Sequence, residues 1–344
     1  MNVRARDVGS QAAGRHRRAL TVALLLAVLA GTAVGSVAIG AKAVAFGDVL
    51  RALAGADDGD TLVVSSLRLP RTALGLLVGV ALGVGGALAQ EITRNPLADP
   101  GLLGIGAGAA VAVAAGIGLL GLTSPYQYVW LAFAGAAAAA AVVYALGATG
   151  RGGAGPVKLA LAGAAVTALL DSLTNLLVLL DIRTLDQYRS WAVGSLAGRD
   201  PGLAGDLAPF VLAGLLLALA LAPRLNSIAL GDDLAASLGT DVRRTRLAGA
   251  LAVTVLTGAA VAAAGPVVFV GLVVPHLVRM VTGPDVRWLL PCSGLAGAAL
   301  MLGADTLGRV VAPPGELEAG VVTALLGGPF LVAMVKRGNF REQR

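Results

Sequence analysis

The chain has 344 residues, of which 57% are hydrophobic and only 13% are charged. Soluble proteins carry about 25% charged residues, so the composition excludes an ordinary soluble enzyme. The net charge of +6 gathers in short segments between apolar runs, which indicates membrane topology rather than nucleic-acid binding. With one cysteine and two distant histidines, neither a disulfide framework nor a metal site is expected.

Apolar runs recur along the whole chain, and each is long enough to cross a hydrocarbon core of about 30 Å as a helix. They predict an all-α polytopic membrane protein with about ten spans. Abundant glycine and alanine favour close helix packing. The eighth span is short because Gly265, Pro266 and Pro275 interrupt it. The predicted spans are 19–39, 69–90, 101–121, 126–149, 157–180, 205–223, 246–264, 267–281, 288–309 and 319–336.

The N-terminal segment 1–18 is expected to be a disordered basic tail in the cytoplasm. Residues 19–39 are longer than the apolar part of a signal peptide, which is the alternative interpretation, so we read a retained first span. A permease domain then covers 19–337, and 338–344 form a second cytoplasmic tail. With the N-terminus inside, 18 of the 26 basic residues fall on the inner side, so both termini are predicted in the cytoplasm of a multi-pass cell-membrane protein.

Two connections on the predicted inner side are unusual. The segment 94–104, "RNPLADPGLLG", joins the second and third spans; Pro96 favours an extended residue before it, and Asp99 is a candidate N-cap for the third helix. A tight reversal alone would also explain this segment. The glycine-rich segment 147–156 is a candidate gate or, alternatively, a flexible connector.

A faint internal repeat relates the two halves of the chain. Gly79, Gly86, Pro96 and Gly104 recur 179 residues later as Gly258, Gly265, Pro275 and Gly283. By the span count the two copies run in opposite directions across the membrane, as in the inverted repeats of transporters.

Six ordered motifs make the chain resemble the permease subunits of ABC importers for iron–siderophores, haem and vitamin B12, the FecCD/BtuC-like family. They are "RLPR" at 68–71, "NPLADPGLLG" at 95–104, "WAVGSLAGRD" at 191–200, "LGDDLAASLGTDVRRTR" at 230–246, "GPVVFVGLVVPHLVR" at 265–279 and "LLGGPFLVAMVKR" at 325–337. The resemblance implies the BtuC-like fold of type II importers, with ten helices and the second near the centre. One departure is Glu318, where the family usually has proline.

The resemblance also implies partners: a second permease subunit, identical or different, two ATP-binding cassette ATPases, and an extracytoplasmic substrate-binding protein. The chain has no G-x-x-x-x-G-K-[ST] phosphate loop, so ATP and Mg²⁺ would be used by the ATPases and no cofactor is expected here. We expect no enzyme activity. A ferric siderophore is the favoured ligand, with vitamin B12 or haem as alternatives; membrane lipid surrounds the chain and nucleic acid is not a partner.

The longest predicted inner connection, 224–246, contains a short helix with leucines at i, i+4 and i+8. The resemblance makes it a coupling helix that docks into an ATPase groove; a helix on the membrane surface is the alternative. The coupling residues are Leu230, Gly231, Asp232, Asp233, Leu234, Ala235, Leu238 and Gly239.

On the predicted outer side, the resemblance makes Arg68, Arg71 and Arg309 docking residues for carboxylates of the binding protein. They could instead anchor helix ends, and Asp305 could pair with Arg309 within one helix. Within the spans, Thr167, Asp171 and Asn175 share a helix face, which either lines the pathway or hydrogen-bonds a packed helix.

The remaining glycine and histidine patterns lie within the predicted spans. Gly79 and Gly83 form a G-x-x-x-G pattern that predicts close helix packing, and His276 is expected in a structural hydrogen bond. The competing function is an ion-coupled secondary transporter that uses Asp171, Asp305 and the helix break at Pro275. Such a carrier would not need the 230–239 segment. An intramembrane enzyme has no metal cluster or serine–base pair to support it.

Overall fold

The computed structural model describes residues 3–40, 44, 46–56, 59–149, 155–312 and 315–336 and contains no strand within them. The α-helices are α1 (Val3–Ala38), α2 (Phe46–Leu53), α3 (Asp60–Val63), α4 (Leu69–Thr93), α5 (Ile105–Gly118), α6 (Pro125–Gly147), α7 (Pro156–Leu180), α8 (Ile182–Ala192), α9 (Leu203–Ala229), α10 (Asp232–Ser237), α11 (Val242–Ala264), α12 (Val270–Thr282), α13 (Val286–Val311) and α14 (Ala319–Lys336). A π-helical turn, Val64–Arg68, leads into α4, and a 3₁₀ turn, Pro100–Leu103, precedes α5.

Ten apolar helices coincide with the ten predicted spans, which confirms the fold class. Seven apolar segments are long enough to cross a membrane, and the helices α5, α12 and α14 are shorter. The helix α1 begins at Val3, so residues 3–18 of the segment expected as a disordered tail are helical. Glycine 265, at φ 79°, ends α11 and separates it from α12, as the predicted interruption requires.

The helix α4 lies at the centre of the bundle, where α9, α11, α12 and α13 surround it. Its glycines allow this packing: a Cβ added to Gly79 would lie 2.5 Å from the Ala298 Cα, and one added to Gly83 would lie 2.1 Å from the Ser293 carbonyl oxygen. The G-x-x-x-G pattern therefore marks the contact between α4 and α13, and the prediction of close packing is confirmed.

The helix α4 rises about 36 Å over its 25 residues, so its two termini mark opposite ends of the bundle. We call them the Arg71 end and the α10 end, since Arg94, just after α4, bonds to α10. The C-terminus of α13 lies at the Arg71 end, because its Arg309 and Asp305 pair with each other and Asp305 pairs with Arg71.

The two halves of the bundle share an order of helix lengths. In both α4–α7 and α11–α14, a long helix is followed by a short one and then by two helices that are longer than that short one. The glycine and proline pairs spaced by 179 residues occupy equivalent places only in part: Gly79 and Gly258 both lie within long helices, whereas Gly86 lies within α4 and Gly265 ends α11. Proline 96 lies in a loop and Pro275 within α12.

Candidate functional site

Three exposed leucines lie in α10 or directly beside it, at one end of the bundle, and we call them the leucine stripe. Leu230, Leu234 and Leu238 are 62%, 57% and 65% exposed, whereas Ala235 between them is buried. Glycines 231 and 239, at φ 120° and 81°, flank the helix in backbone conformations that favour glycine. Asp232 and Asp233 form its first turn, where negative charge suits the helix dipole. The predicted short helix is present, with Leu234 inside it and Leu230 and Leu238 on either side.

Asp232 is held from two directions. Arg246, near the start of α11, donates from both terminal nitrogens to the carboxylate at 2.9 and 3.0 Å. Arg94 donates to the same carboxylate and to the carbonyl oxygen of Ile228, near the end of α9. Charge-assisted bonds of this kind are the stronger ones in proteins, so α10 is attached to its neighbours by its first residue.

The segment 94–104 therefore does more than reverse the chain, since its first residue supplies one half of this attachment. Arg94 adopts a left-handed conformation at φ 49°. Asp99 accepts the Gly101 N–H at 2.7 Å and so caps the 3₁₀ turn, not α5; the expectation that it caps the third helix is wrong because this extra turn intervenes. Burial raises the pKa of the Asp99 carboxyl, while the bond from Gly101 opposes the shift.

A cavity of about 210 Å³ lies beside this segment. Its walls are mainly apolar and come from the end of α4, the 94–104 segment, the start of α7 and the middle of α11. The cavity is also lined by Val157 and Leu159, which follow the candidate gate at 147–156 in the chain. Residues 150–154 of that segment lie outside the described residues.

At the opposite end, the three arginines predicted to dock a binding protein, Arg68, Arg71 and Arg309, bind groups within this chain. Arg68 is buried and donates to the carbonyl oxygens of Val37 and Ala38, at the end of α1. Arg309 is buried and donates to the carbonyl oxygens of Ser36 and Ile39. The alternative that these arginines anchor helix ends fits the geometry, and docking of a binding protein at them stays a prediction.

Asp305 lies at the centre of this buried arginine cluster and is 1% exposed. The Arg71 guanidinium binds its carboxylate through Nε at 3.1 Å and Nη2 at 2.9 Å, and Arg309 lies 3.2 Å away in the predicted intrahelical pair. Arg71 also donates to Glu316 at 2.8 Å. These ion pairs join α4, α13 and the segment before α14.

The polar residues predicted for one face of α7 lie as the spacing requires. Asp171 and Asn175 are exposed and Thr167 is half-buried. Neither Asp171 nor Asn175 has a hydrogen-bond or ion-pair partner among the residues that the structure describes. A hydrogen bond to a packed helix of the same chain is therefore not formed in this part of the molecule, and the face is open to whatever covers α7.

Two polar contacts within the bundle differ from the sequence-based account. The His276 ring is buried and packs against Phe330 at 6.3 Å, but its Nδ1 has no hydrogen-bond partner among the described residues, so the expected structural bond is absent from that nitrogen. A contact not expected from the sequence is made by Arg279, which donates to Glu91 at 2.8 Å and to Gln90 at 3.1 Å. Opposite charges on the same predicted side of the membrane were the available signal. The described residues contain no group of three or more metal ligands.

Comparison with known proteins gives consistent matches over almost the whole chain. The model of the FecCD transport family matches residues 23–337. The ferric enterobactin transport system permease protein FepD of Escherichia coli is 47% identical over 323 residues, which are 93% of this chain and 96% of the relative. The hemin transport system permease protein HmuU of Yersinia pestis is 39% identical over 96% of this chain and 99% of its own length.

A solved structure has the same architecture. It is an inward-facing conformation of a metal-chelate type ABC transporter, and it superposes with a TM-score of 0.81 at 27% identity. The match covers 93% of this chain and 99% of the solved one.

Proposed function

Because the chain belongs to the FecCD transport family of ABC importer permeases, we propose that it forms the membrane pathway for uptake of a ferric siderophore. As a permease subunit it is a transport protein and not an enzyme. The relative named for ferric enterobactin shares more identical residues with it than the relative named for hemin, and this difference carries the choice of ligand. Haem and vitamin B12 are the alternatives.

The ligand is tested by competition in vesicles that contain the chain with its partner ATPases and binding protein. Uptake of a labelled ferric siderophore should proceed in the presence of excess haem or cobalamin and stop with excess unlabelled ferric siderophore. If haem or cobalamin abolishes the uptake, or is itself the ligand carried, the assignment to siderophores is wrong.

The α10 end faces the cytoplasm in this proposal and receives the ATPase. The leucine stripe, with Leu234 in α10 and Leu230 and Leu238 on either side of the helix, supports it, because exposed apolar side chains suit insertion into a groove. The basic residues around α10, which include Arg94 and Arg246, also suit the cytoplasmic side. ATP binding and hydrolysis would move α10, and the bundle would change the side to which its pathway opens.

Replacing Leu234 by aspartate should weaken association with the ATPase by about thirtyfold or more, as for a central interface residue. The stripe would then carry a charge into the groove, while the fold is unaffected because Leu234 is exposed. The measurement is the amount of ATPase that co-purifies with the chain. The matched control is Leu119→Asp, at a leucine after α5 that is 71% exposed, and it should leave association intact. Equal recovery of the ATPase with both variants would refute the docking surface.

A second permease subunit is proposed to lie against α7, so that Thr167, Asp171 and Asn175 line the pathway between the two subunits. An acidic side chain is costly in a membrane unless it meets water or a partner. Asp171 is exposed and has no hydrogen-bond or ion-pair partner among the described residues, so its partner is expected from the assembly. Whether the second subunit is identical or different leaves this proposal unchanged.

A cysteine at position 175 tests this arrangement, because the native Cys292 is buried and gives little background. In the assembled transporter, Asn175→Cys should react with a membrane-impermeant thiol reagent several times faster than Leu212→Cys on the exposed apolar side of α9. Labelling is measured by mass. Equal rates at the two positions would place Asn175 away from water and contradict the pathway.

The binding protein is proposed to dock at the Arg71 end. The buried ion pairs of Asp305 support that surface from within by fixing the ends of α4 and α13. The same geometry weighs against ion-coupled transport through Asp305, because two arginines bind its carboxylate.

A further inference from the structure

The small size of α10 raises the question of how a movement of this helix could reach the transmembrane bundle. It has six residues, and within it only Ala235 is buried. The glycines on both sides have positive φ, and a Cβ built on either would meet no atom within 4 Å. Backbone hydrogen bonds from the two glycines reach only neighbouring residues, Ile228 and Ala236, so a direct link from α10 to α4 depends on side chains.

The side chains of Arg94, Asp232 and Arg246 form such a link, which we call the Asp232 clamp. We infer that this clamp transmits movement of α10 to α4 and α11, an inference that rests on the proposed coupling function. Arg94 directly follows α4, and Arg246 lies in the second turn of α11. The fork of Arg246 grips both carboxylate oxygens, which fixes direction as well as distance.

The clamp ends on two central helices of the bundle. Both α4 and α11 are largely buried and pack against each other along their length. Interiors packed this tightly transmit displacement rather than absorb it. Arg94 also binds the Ile228 carbonyl oxygen, so the last turns of α9 move with the same group.

A separate contact keeps the base of α9 in place beside the clamp. The Asn226 amide donates to Asp285 at 2.8 Å and accepts the Val286 N–H at 2.9 Å, which joins α9 to the first turn of α13. A shift of α10 that reaches the end of α9 through Arg94 would therefore also reach the start of α13. The leucine stripe faces away from the clamp, so docking and transmission use different side chains of one helix.

The clamp residues are positioning residues, since none of them is proposed to touch ligand or nucleotide. Their loss should separate ATP hydrolysis from ligand transport, which stay coupled in the intact transporter. Asp232→Asn removes the charge that both arginines bind, yet it leaves Leu230, Leu234 and Leu238 in place. ATPase subunits should remain bound and hydrolyse ATP, while less ligand is moved for each ATP.

The test measures ligand transported per ATP hydrolysed in vesicles with the complete transporter. Asp232→Asn and Arg246→Gln should each lower this ratio by about three- to thirtyfold, the range typical of residues that carry coupling. Asp232→Glu, which keeps the charge, should retain most of it. Arg243→Gln, an exposed arginine one turn before Arg246, is the matched control and should leave the ratio unchanged.

The outcomes separate the clamp from the docking surface. If Leu234→Asp releases the ATPase but Asp232→Asn and Arg246→Gln keep a normal ratio, the clamp is refuted and docking stands. If Leu234→Asp keeps the ATPase bound, docking itself is refuted. Loss of assembled transporter in both clamp variants, with a normal ratio in what remains, would assign the clamp to folding alone and overturn the inference.

Discussion

Replacing Asp305 by asparagine is expected to lower the free energy of unfolding by about 3–5 kcal/mol, the cost of removing one partner from a buried ion pair. Asparagine has nearly the same shape, so the packing of α13 is kept. What is lost is the negative charge that Arg71 and Arg309 share, and both guanidinium groups stay in a site with little access to water. The measurement is the unfolding free energy in mixed micelles.

The control is Asp48→Asn in α2, whose ion pair with Arg51 is exposed and should be worth less than about 1 kcal/mol. The comparison also decides between the two roles considered for the arginines. If they docked a binding protein directly, Asp305→Asn would free Arg71, strengthen docking and leave stability nearly unchanged. A loss of stability no greater than that of the control would show that the buried cluster does not hold this end together.

Replacing Gly86 by alanine is expected to lower the free energy of unfolding by about 3 kcal/mol or more, because the added methyl group overpacks a core contact. Its Cβ would lie 1.9 Å from the carbonyl oxygen of Gly271 in α12. The obstacle is backbone rather than a flexible side chain, so only movement of α12 away from α4 could make room. The unfolding midpoint of the purified variant is the direct readout.

Gly31→Ala provides the matched control on α1, where nothing lies within 4 Å of an added Cβ. That variant should be neutral or more stable by up to about 1 kcal/mol, since alanine favours helix more than glycine does. Should the two variants unfold at the same midpoint, α4 and α12 would not be in backbone contact in the folded protein.

The ten apolar helices could be predicted because hydrocarbon length and apolar runs fix where a chain can cross a membrane. The short helix around Leu234 could also be predicted from the leucine spacing, but Leu230 lies outside it because the non-helical Gly231 separates the two. The 3₁₀ turn at Pro100–Leu103 could not, because Asp99 followed by proline looks the same before either type of helix.

The burial of the arginines could not be predicted, because their partners are distant in sequence. Arg309 binds carbonyl oxygens of the last turns of α1, 270 residues and more away, and Arg71 binds Asp305 across 234 residues. An arginine beside a helix end has the same local pattern whether it faces a partner protein or another helix. The Asp232 clamp was missed for the same reason, since Arg94 and Asp232 are 138 residues apart.

The most direct measurement of the whole account is ligand uptake by vesicles that hold the purified chain with or without its ATPase and binding protein. Labelled ferric siderophore should enter only with all partners and hydrolysable ATP present, and dissipating the proton gradient should have no effect on this uptake. Uptake by the chain alone, or uptake that follows an ion gradient without ATP, would contradict the account.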